Sequence, residues 1–383
     1  MKKVLRIINR FNLGGPVYNA LYLSKYMSDE YETLLIGGVH TEEETSAEFL
    51  FKESNVSYQI IPEMSRSINP ANDIKAYLKI DKIIREFKPD IVHTHASKAG
   101  LLGRIAALRN NIPIIVHTFH GHVFHSYFGK TKTTIIKNIE RYLAKKSTQI
   151  VAISNIQKHD LTKKYHIVSE NKTSVIPLGF NLNHFSENIT EKRIAFREQY
   201  NLPNETIAIA IIGRIVPVKN HKLLIDAIDL LPTQIKKQIH IFVVGDGNLK
   251  ASLIEKTQKL NLENIFTFTS WIKETDKVYA GADIIALSSH NEGTPVTLIE
   301  AQAANKAIIT TDTGGIKDIL MPSNTHIITK HSAKDFSEKL QALIAEVQKN
   351  PISNSKEFAL KNFSYQRLVK DTKDLYKRLL INV

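Results

Sequence analysis

The feature that most constrains this chain is a recurrence. Short runs rich in Ile and Val, apolar at successive positions rather than at alternate ones, take turns with stretches of helical periodicity. Runs at 4–9, 33–37, 57–61, 91–94, 114–118, 150–154 and 174–177 form one series, with helical patterns at 17–27, 74–87 and 99–109 between them. A strand covered by helices on both faces has no polar face to show, so such runs predict a parallel, helix-covered sheet. The rhythm breaks in the polar segment 181–205, which reads as a linker with a helix inside it. It restarts at 207–213, 239–245, 265–269, 284–288 and 307–311. Two series predict two doubly wound α/β domains, 1–180 and 181–363, a division that suits 383 residues at ~100–200 per domain. The last stretch, 365–380, is helical in pattern, with Leu368, Leu375, Leu379 and Leu380 on or near one face.

Composition removes several chemistries. There is no cysteine, which excludes disulfides, thiolate zinc sites and cysteine nucleophiles and fits a cytoplasmic protein. No apolar run reaches the ~18 residues that would span a bilayer. The start is basic, but its apolar stretch is broken by Arg6, Asn9 and Arg10, so it reads as a first strand rather than a secretory signal. The net charge is +13, and most of the excess lies in residues 1–180. A basic surface suits nucleic acid, an anionic membrane or a phosphorylated substrate, and charge alone does not choose.

Open α/β sheets bind ligands beyond the carboxyl ends of their strands, and with two such domains the cleft between them is the expected site. The segments after the strands therefore carry the functional information. At 288–315 a strand is followed by a polar turn, His290-Asn291-Glu292-Gly293-Thr294, and then by Pro295. Pro295 suits the first helical position and Thr294 the cap. A helix start behind a strand, preceded by glycine, offers free N–H groups to phosphate. Glu292 precedes it, and Glu300, eight residues later, could accept hydrogen bonds from sugar hydroxyls. The same residues also read as a capped helix with a solvated glutamate.

At 211–228 a strand ends at Gly213, and Arg214 and Lys219 follow before a helix. Two cations there suit a diphosphate leaving group, although a solvated basic loop has the same composition. Gly14 and Gly15, followed by Pro16, form a turn between the first strand and a helix. Paired glycines let backbone approach a ligand, and they also serve plain turns. No dinucleotide fingerprint is present. The segment 116–129 holds His117, His120, His122 and His125, and His93 and His95 end a neighbouring strand. No nearby carboxylate completes a zinc set, so packing or ligand contact is the expectation for these rings.

The segment 288–315 closely resembles the signature of retaining family 4 glycosyltransferases. Further matches at 151–161, 175–185 and 243–253, with Gly314-Gly315, extend the resemblance over nearly the full chain. It implies two facing Rossmann-like domains (the GT-B arrangement) with a cleft between them. It also implies a C-terminal helix, 364–383, crossing back to the acceptor-side domain 1–180, and a donor-binding domain at 181–363. By the same resemblance Glu292 meets the donor sugar and Glu300 binds the ribose hydroxyls. Gly293 and the backbone of Thr294, Pro295, Val296 and Thr297 hold the diphosphate, where many relatives have Phe-Gly in place of Thr294-Pro295. Gly213, Arg214 and Lys219 match the family's Gly-Arg…Lys motif, and Gly14 and Gly15 its glycine-rich loop. His120, in Thr118-Phe119-His120, matches the histidine that contacts the donor sugar.

The expected reaction is transfer of a sugar, with retention, from a nucleotide-sugar (a UDP-sugar first) to a saccharide or lipid-linked acceptor in polysaccharide or glycolipid synthesis. No residue stands out as a covalent nucleophile. A front-side mechanism is expected, with no metal and no other cofactor, because Arg214, Lys219 and the helix start supply positive charge. A non-hydrolysing UDP-sugar epimerase on the same fold is the alternative. A nucleic-acid-binding protein is suggested only by charge, and no RNA-binding motif supports it. Finally, 130–146 places Ile135, Ile136, Ile139, Tyr142 and Leu143 on one apolar face, surrounded by Lys132, Lys137, Arg141, Lys145 and Lys146. That profile fits a helix lying on an anionic membrane, which would make the enzyme peripheral at the cytoplasmic face. It also fits a helix packed on its own domain.

Overall fold

The computed structural model describes residues 1–40, 46–65, 67, 69–121, 130–349 and 354–381. The chain forms two compact units, Met1–Phe180 with Ser364–Val383, and Asn181–Phe363. The first is built on seven strands: β1 (Lys2–Arg10), β2 (Tyr31–Gly38), β3 (Tyr58–Ile60), β4 (Ile91–His95), β5 (Ile114–Phe119), β6 (Gln149–Ala152) and β7 (Thr173–Val175). They pair in parallel in the order β3-β2-β1-β4-β5-β6-β7. The second holds β8 (Ile207–Ile212), β9 (Ile239–Val244), β10 (Phe266–Thr269), β11 (Ile284–Leu287), β12 (Ala307–Thr311) and β13 (His326–Thr329). These also pair in parallel, in the order β10-β9-β8-β11-β12-β13. β13 was not anticipated.

The central strands are buried at every position, as their unbroken apolar character requires. Every residue of β4, β5, β8, β11 and β12 is buried. The direction of chain progression reverses between β1 and β4 in the first sheet and between β8 and β11 in the second. At such a point the loops leaving adjacent strands diverge to opposite faces and open a crevice at the carboxyl edge. That geometry selects the segments after β1, β4, β8 and β11 as the places where this chain can hold a ligand.

The C-terminal helix Tyr365–Ile381 belongs to the first unit. Leu368, Leu375, Tyr376 and Leu379 pack in one cluster with Val4, Ile91, Ile114 and Val151. Each leucine so buried contributes about 2 kcal/mol relative to exposure. The helix entry is held by Arg367, whose Nη2 donates to the carbonyls of Pro177 and Leu178, both at 2.7 Å.

The basic helix Lys130–Lys146 corrects its sequence reading. The five apolar residues share one arc of the helix, but part of that arc packs on the domain. Leu143 is buried and Ile136 packs against the cluster of Phe119, Ala144 and Leu161, whereas Ile135, Ile139 and Tyr142 are exposed at 55%, 39% and 60%. What turns the helix this way is a charged residue. Glu140, also buried, accepts from Nη2 of the fully buried Arg104 at 2.6 Å. A buried ion pair loses far more when one partner is turned to solvent than an isoleucine does, so the pair sets the inward face.

Candidate functional site

In the second unit the loops after β8, β11 and β12 are tied to one another by hydrogen bonds to their backbone carbonyls. After β8, Gly213 leads through Arg214, which is exposed, to a single 3-10 turn, Pro217–Lys219. Ser288, directly after β11, donates through Oγ to the carbonyls of Lys219 (3.1 Å) and Asn220 (2.9 Å), and the His290 amide donates to Val218 at 2.8 Å. At the end of β12, Thr311 Oγ1 donates to the Ser289 carbonyl at 2.7 Å, and just beyond it Thr313 Oγ1 donates to that of His290 at 3.0 Å. Gly314 completes the lacing at φ +56°, and a Cβ there would stand 1.9 Å from the Glu292 carbonyl oxygen, so no side chain fits.

This scaffold brings Glu292 and Lys219 together. Lys219 Nζ and Ser289 Oγ both donate to Glu292 Oε1, each at 2.6 Å. The carboxylate therefore has one oxygen fixed by two donors and the other unclaimed by either. Lys219, expected as a bare cation for diphosphate, is neutralised by Glu292 in this state. A second anion arriving at Lys219 would share it with Glu292. Ser289 was missed because a serine between Ser288 and His290 carries no distinguishing pattern.

The helix after this turn runs Val296–Ala303, and its cap is Pro295, not Thr294. Pro295 has ψ 103°, an extended value, so it stands one residue before the helix instead of at its first position. No side chain caps the start. Gly293, Thr294, Pro295, Val296 and Thr297 thus lead from Glu292 into a helix N-terminus with unclaimed N–H groups, an arrangement that favours an anion. Farther along, Glu300 Oε2 accepts from the buried Tyr279 hydroxyl at 2.6 Å. Burial lifts the Glu300 carboxyl to about 7, against the opposing pull of that hydrogen bond.

In the first unit Gly14 precedes the helix Gly15–Lys25, with Pro16 as its second residue. Gly14, Asn9, Arg10, Asn12, His95 and Ala96 line a cleft of about 210 Å³ where the strand order reverses. Ala96 sits at φ 64°, a strained value for an alanine and of the kind that collects at functional sites. His120 follows β5. His95 Nδ1 and His120 Nε2 are 3.0 Å apart, while His120 Nδ1 and His95 Nε2 are buried without a hydrogen-bond partner. His93 bridges Tyr376 (2.6 Å) and Thr118 (2.7 Å), and His117 pairs with Thr94 at 2.8 Å. Burial holds all four rings neutral, with His120 lowered to about 4 and the others well below their usual value. His122 and His125 lie outside the described residues. Among the described residues no three His, Asp or Glu side chains are grouped to hold a metal ion.

The structure thus gathers Gly213, Lys219, Glu292, Gly293 and the helix start in the second unit, with Arg214 exposed on the same loop. Gly14, Gly15 and the His95–His120 pair lie in the first. Two family models match the chain: residues 13–184 match "Glycosyltransferase Family 4" and residues 192–358 match "Glycosyl transferases group 1". Among relatives, a UDP-Gal:alpha-D-GlcNAc-diphosphoundecaprenol alpha-1,3-galactosyltransferase of Escherichia coli is 27% identical over 87% of this chain and 86% of its own. The capsular polysaccharide biosynthesis glycosyltransferase CapM of Staphylococcus aureus is 26% identical over 84% of this chain and 85% of its own. Among solved structures, Anabaena Alr3699/HepE in complex with UDP superposes with a TM-score of 0.83 at 18% identity, covering 99% of this chain and all of the other.

Proposed function

The chain belongs to the family 4 glycosyltransferases of GT-B fold, and on that premise we propose that it moves a sugar, with retention and without a metal, from a UDP-sugar to a lipid-linked saccharide. The epimerase alternative has no support from the family models or from these relatives. The observation that carries the proposal is the Lys219–Glu292–Ser289 contact beside an uncapped helix start. The helix N–H groups of Val296 and Thr297 take the diphosphate, with Lys219 and Arg214 adding charge as the bond breaks. Glu292, fixed at Oε1, turns its other oxygen to the donor sugar. In the first unit His120, with Nε2 engaged by His95, has Nδ1 as its remaining polar atom, the one a sugar hydroxyl would reach on binding. The glycosidic C1–O bond to diphosphate breaks, the C1–O bond to the acceptor forms on the same face, and the acceptor proton passes to the departing diphosphate.

UDP is supported by the ligand of the Anabaena structure, and a lipid-linked acceptor by the name of the Escherichia coli relative. The test incubates the purified protein with UDP-, GDP- and ADP-sugars and an undecaprenyl-diphosphate-linked GlcNAc, with and without EDTA. Product from a UDP-sugar alone, with the anomeric configuration kept by NMR and EDTA without effect, is expected. An inverted product, or activity lost to EDTA and restored by Mg²⁺, defeats the corresponding part.

Peripheral attachment at the cytoplasmic membrane face is part of the same proposal. Among the described residues no helix is long and apolar enough to cross a membrane. The exposed Ile135, Ile139 and Tyr142, with Lys145 and Lys146 on the same helix, suit an anionic lipid surface. Co-sedimentation with acidic liposomes at low salt, lost at high salt, is the expected result.

A further inference from the structure

The Glu300 carboxyl is reached from one direction by a group the reaction itself does not use. Tyr279, on the helix Thr275–Gly281, is fully buried. Its ring stands edge-on to Phe185 at 5.1 Å, and its hydroxyl ends 2.6 Å from Glu300 Oε2. A buried tyrosine hydroxyl needs a partner, and here the partner is the Glu300 carboxylate itself, so the ring and that carboxylate are held together.

We propose that Tyr279 is a positioning residue for nucleotide recognition: its hydroxyl locks one Glu300 oxygen so that the other meets the ribose hydroxyls in a single orientation. This rests on the reading of Glu300 as the ribose acceptor. The physical reason is the conflict at Glu300. To accept from two ribose hydroxyls the carboxyl must be ionised, yet burial opposes ionisation and holds it near 7. The Tyr279 hydrogen bond is the one interaction that pulls the other way. Burial also drives the Tyr279 hydroxyl well above its ordinary range, so it remains a donor throughout.

The surroundings offer no substitute. Elements packed on the helix Val296–Ala303 carry His184, Lys356, Glu357 and Lys361, and the helix of Tyr279 carries Asp276 and Lys277. Asp276 pairs with Lys192, Lys277 with Glu274, and Lys356 Nζ reaches the Ser186 carbonyl. None of them contributes to the Glu300 shift, whose causes are burial and Tyr279 alone.

The test uses Tyr279→Phe, which keeps the ring and its contact with Phe185, Glu300→Gln and the double variant. Calorimetry with UDP and with 2′,3′-dideoxy-UDP, from about pH 5.5 to 8.5, reads affinity and ribose discrimination. Wild type should prefer UDP by roughly tenfold or more, and that preference should rise as pH passes about 7, the titration of the terminal phosphate cancelling between the two ligands. Y279F should lose most of that preference and move the rise to higher pH, because the ionised carboxyl has lost its donor. E300Q should lose the preference and its pH dependence together, and adding Y279F to it should change neither further. If E300Q loses discrimination while Y279F keeps the wild-type preference and midpoint, Tyr279 is packing only. Additive losses in the double variant refute the proposal in the same way. If E300Q itself keeps full discrimination, the ribose reading of Glu300 falls, and this proposal with it.

Discussion

The two units use the same sheet plan and place their polar chemistry differently. In the first, imidazoles sit inside the strands: His93 and His95 in β4 and His117 in β5, all at most 2% exposed, with a fully buried Arg6 opposite His93 on β1. In the second, the central strands β8 and β11 read IAIAII and IIAL, and the charged pair Lys219–Glu292 lies in the loops beyond them. A strand-borne group is fixed by the ladder but must be neutral or paired, since burial of a charge is costly. A loop-borne group keeps its charge and needs lacing to hold its position. Here Ser288, Thr311, Thr313 and Gly314 supply that lacing.

The sharpest way to break this contrast is Glu292→Gln. If the second unit works through a laced charge, turnover should fall by roughly 10²–10³ with UDP affinity kept, the scale of losing one electrostatic stabiliser. Near-normal turnover in the purified variant would remove Glu292 from the mechanism. Gly314→Ala attacks the lacing itself. The new Cβ meets the Glu292 carbonyl at 1.9 Å in a left-handed conformation, so a loss of about 2 kcal/mol in denaturant unfolding is expected, with reduced turnover. Unchanged stability and turnover would show that the turn shifts freely and that the loop is not held as described.

Acid sharpens the contrast from the other side. His93, His95, His117 and His120 are held neutral, so below about pH 6.5 the unfolded chain binds protons that the fold excludes. Stability is then full above that value and falls as pH drops toward the folded value, about 4 for His120, by up to about 1.4 kcal/mol per pH unit for each ring. The second unit has lowered histidines too, His221 to about 4 and His184, His240 and His326 in the same direction, but none of them is hydrogen-bonded to another histidine. Hydrogen exchange at pH 7 and pH 5 should therefore show β4 and β5 losing more protection than β8 and β11, and equal losses would erase the distinction. The smallest effect is expected at the exposed stripe. Ile139→Ser with Tyr142→Ser should change stability by about 0.5 kcal/mol or less each. Liposome binding should fall while nucleotide affinity stays the same, and a large drop in stability would place those side chains in a packed interface.

Much of the fold was legible because a strand buried on both faces leaves a continuous apolar run, and the Ile and Val content of these runs, with their regular alternation with helical patterns, separates them from buried helix segments. The loops that could carry chemistry followed from strand ends alone. Glu292, Lys219 and the Gly293–Thr297 turn were readable as a motif. Their contact was not, because 73 residues separate Lys219 from Glu292 and only the pairing of β8 with β11 closes the gap. Tyr279 gave no signal for a similar reason: 21 residues and a strand separate it from Glu300.

The helix Lys130–Lys146 shows where local pattern stops. Its spacing allows Ile135, Ile136, Ile139, Tyr142 and Leu143 to share a face, and nothing within the helix says which neighbours turn inward. Arg104, 36 residues earlier, decides it by burying Glu140. The shift of the cap from Thr294 to Pro295 is smaller but of the same kind, since a proline fixes φ and leaves ψ to its surroundings. From the sequence alone come the strands, the helices between them and the loops that follow, because period and composition are properties of neighbouring residues. The partners of Glu292, Glu300, His120 and Glu140 came only with the tertiary structure, because hydrogen bonds and ion pairs depend on distances that strand order and packing set.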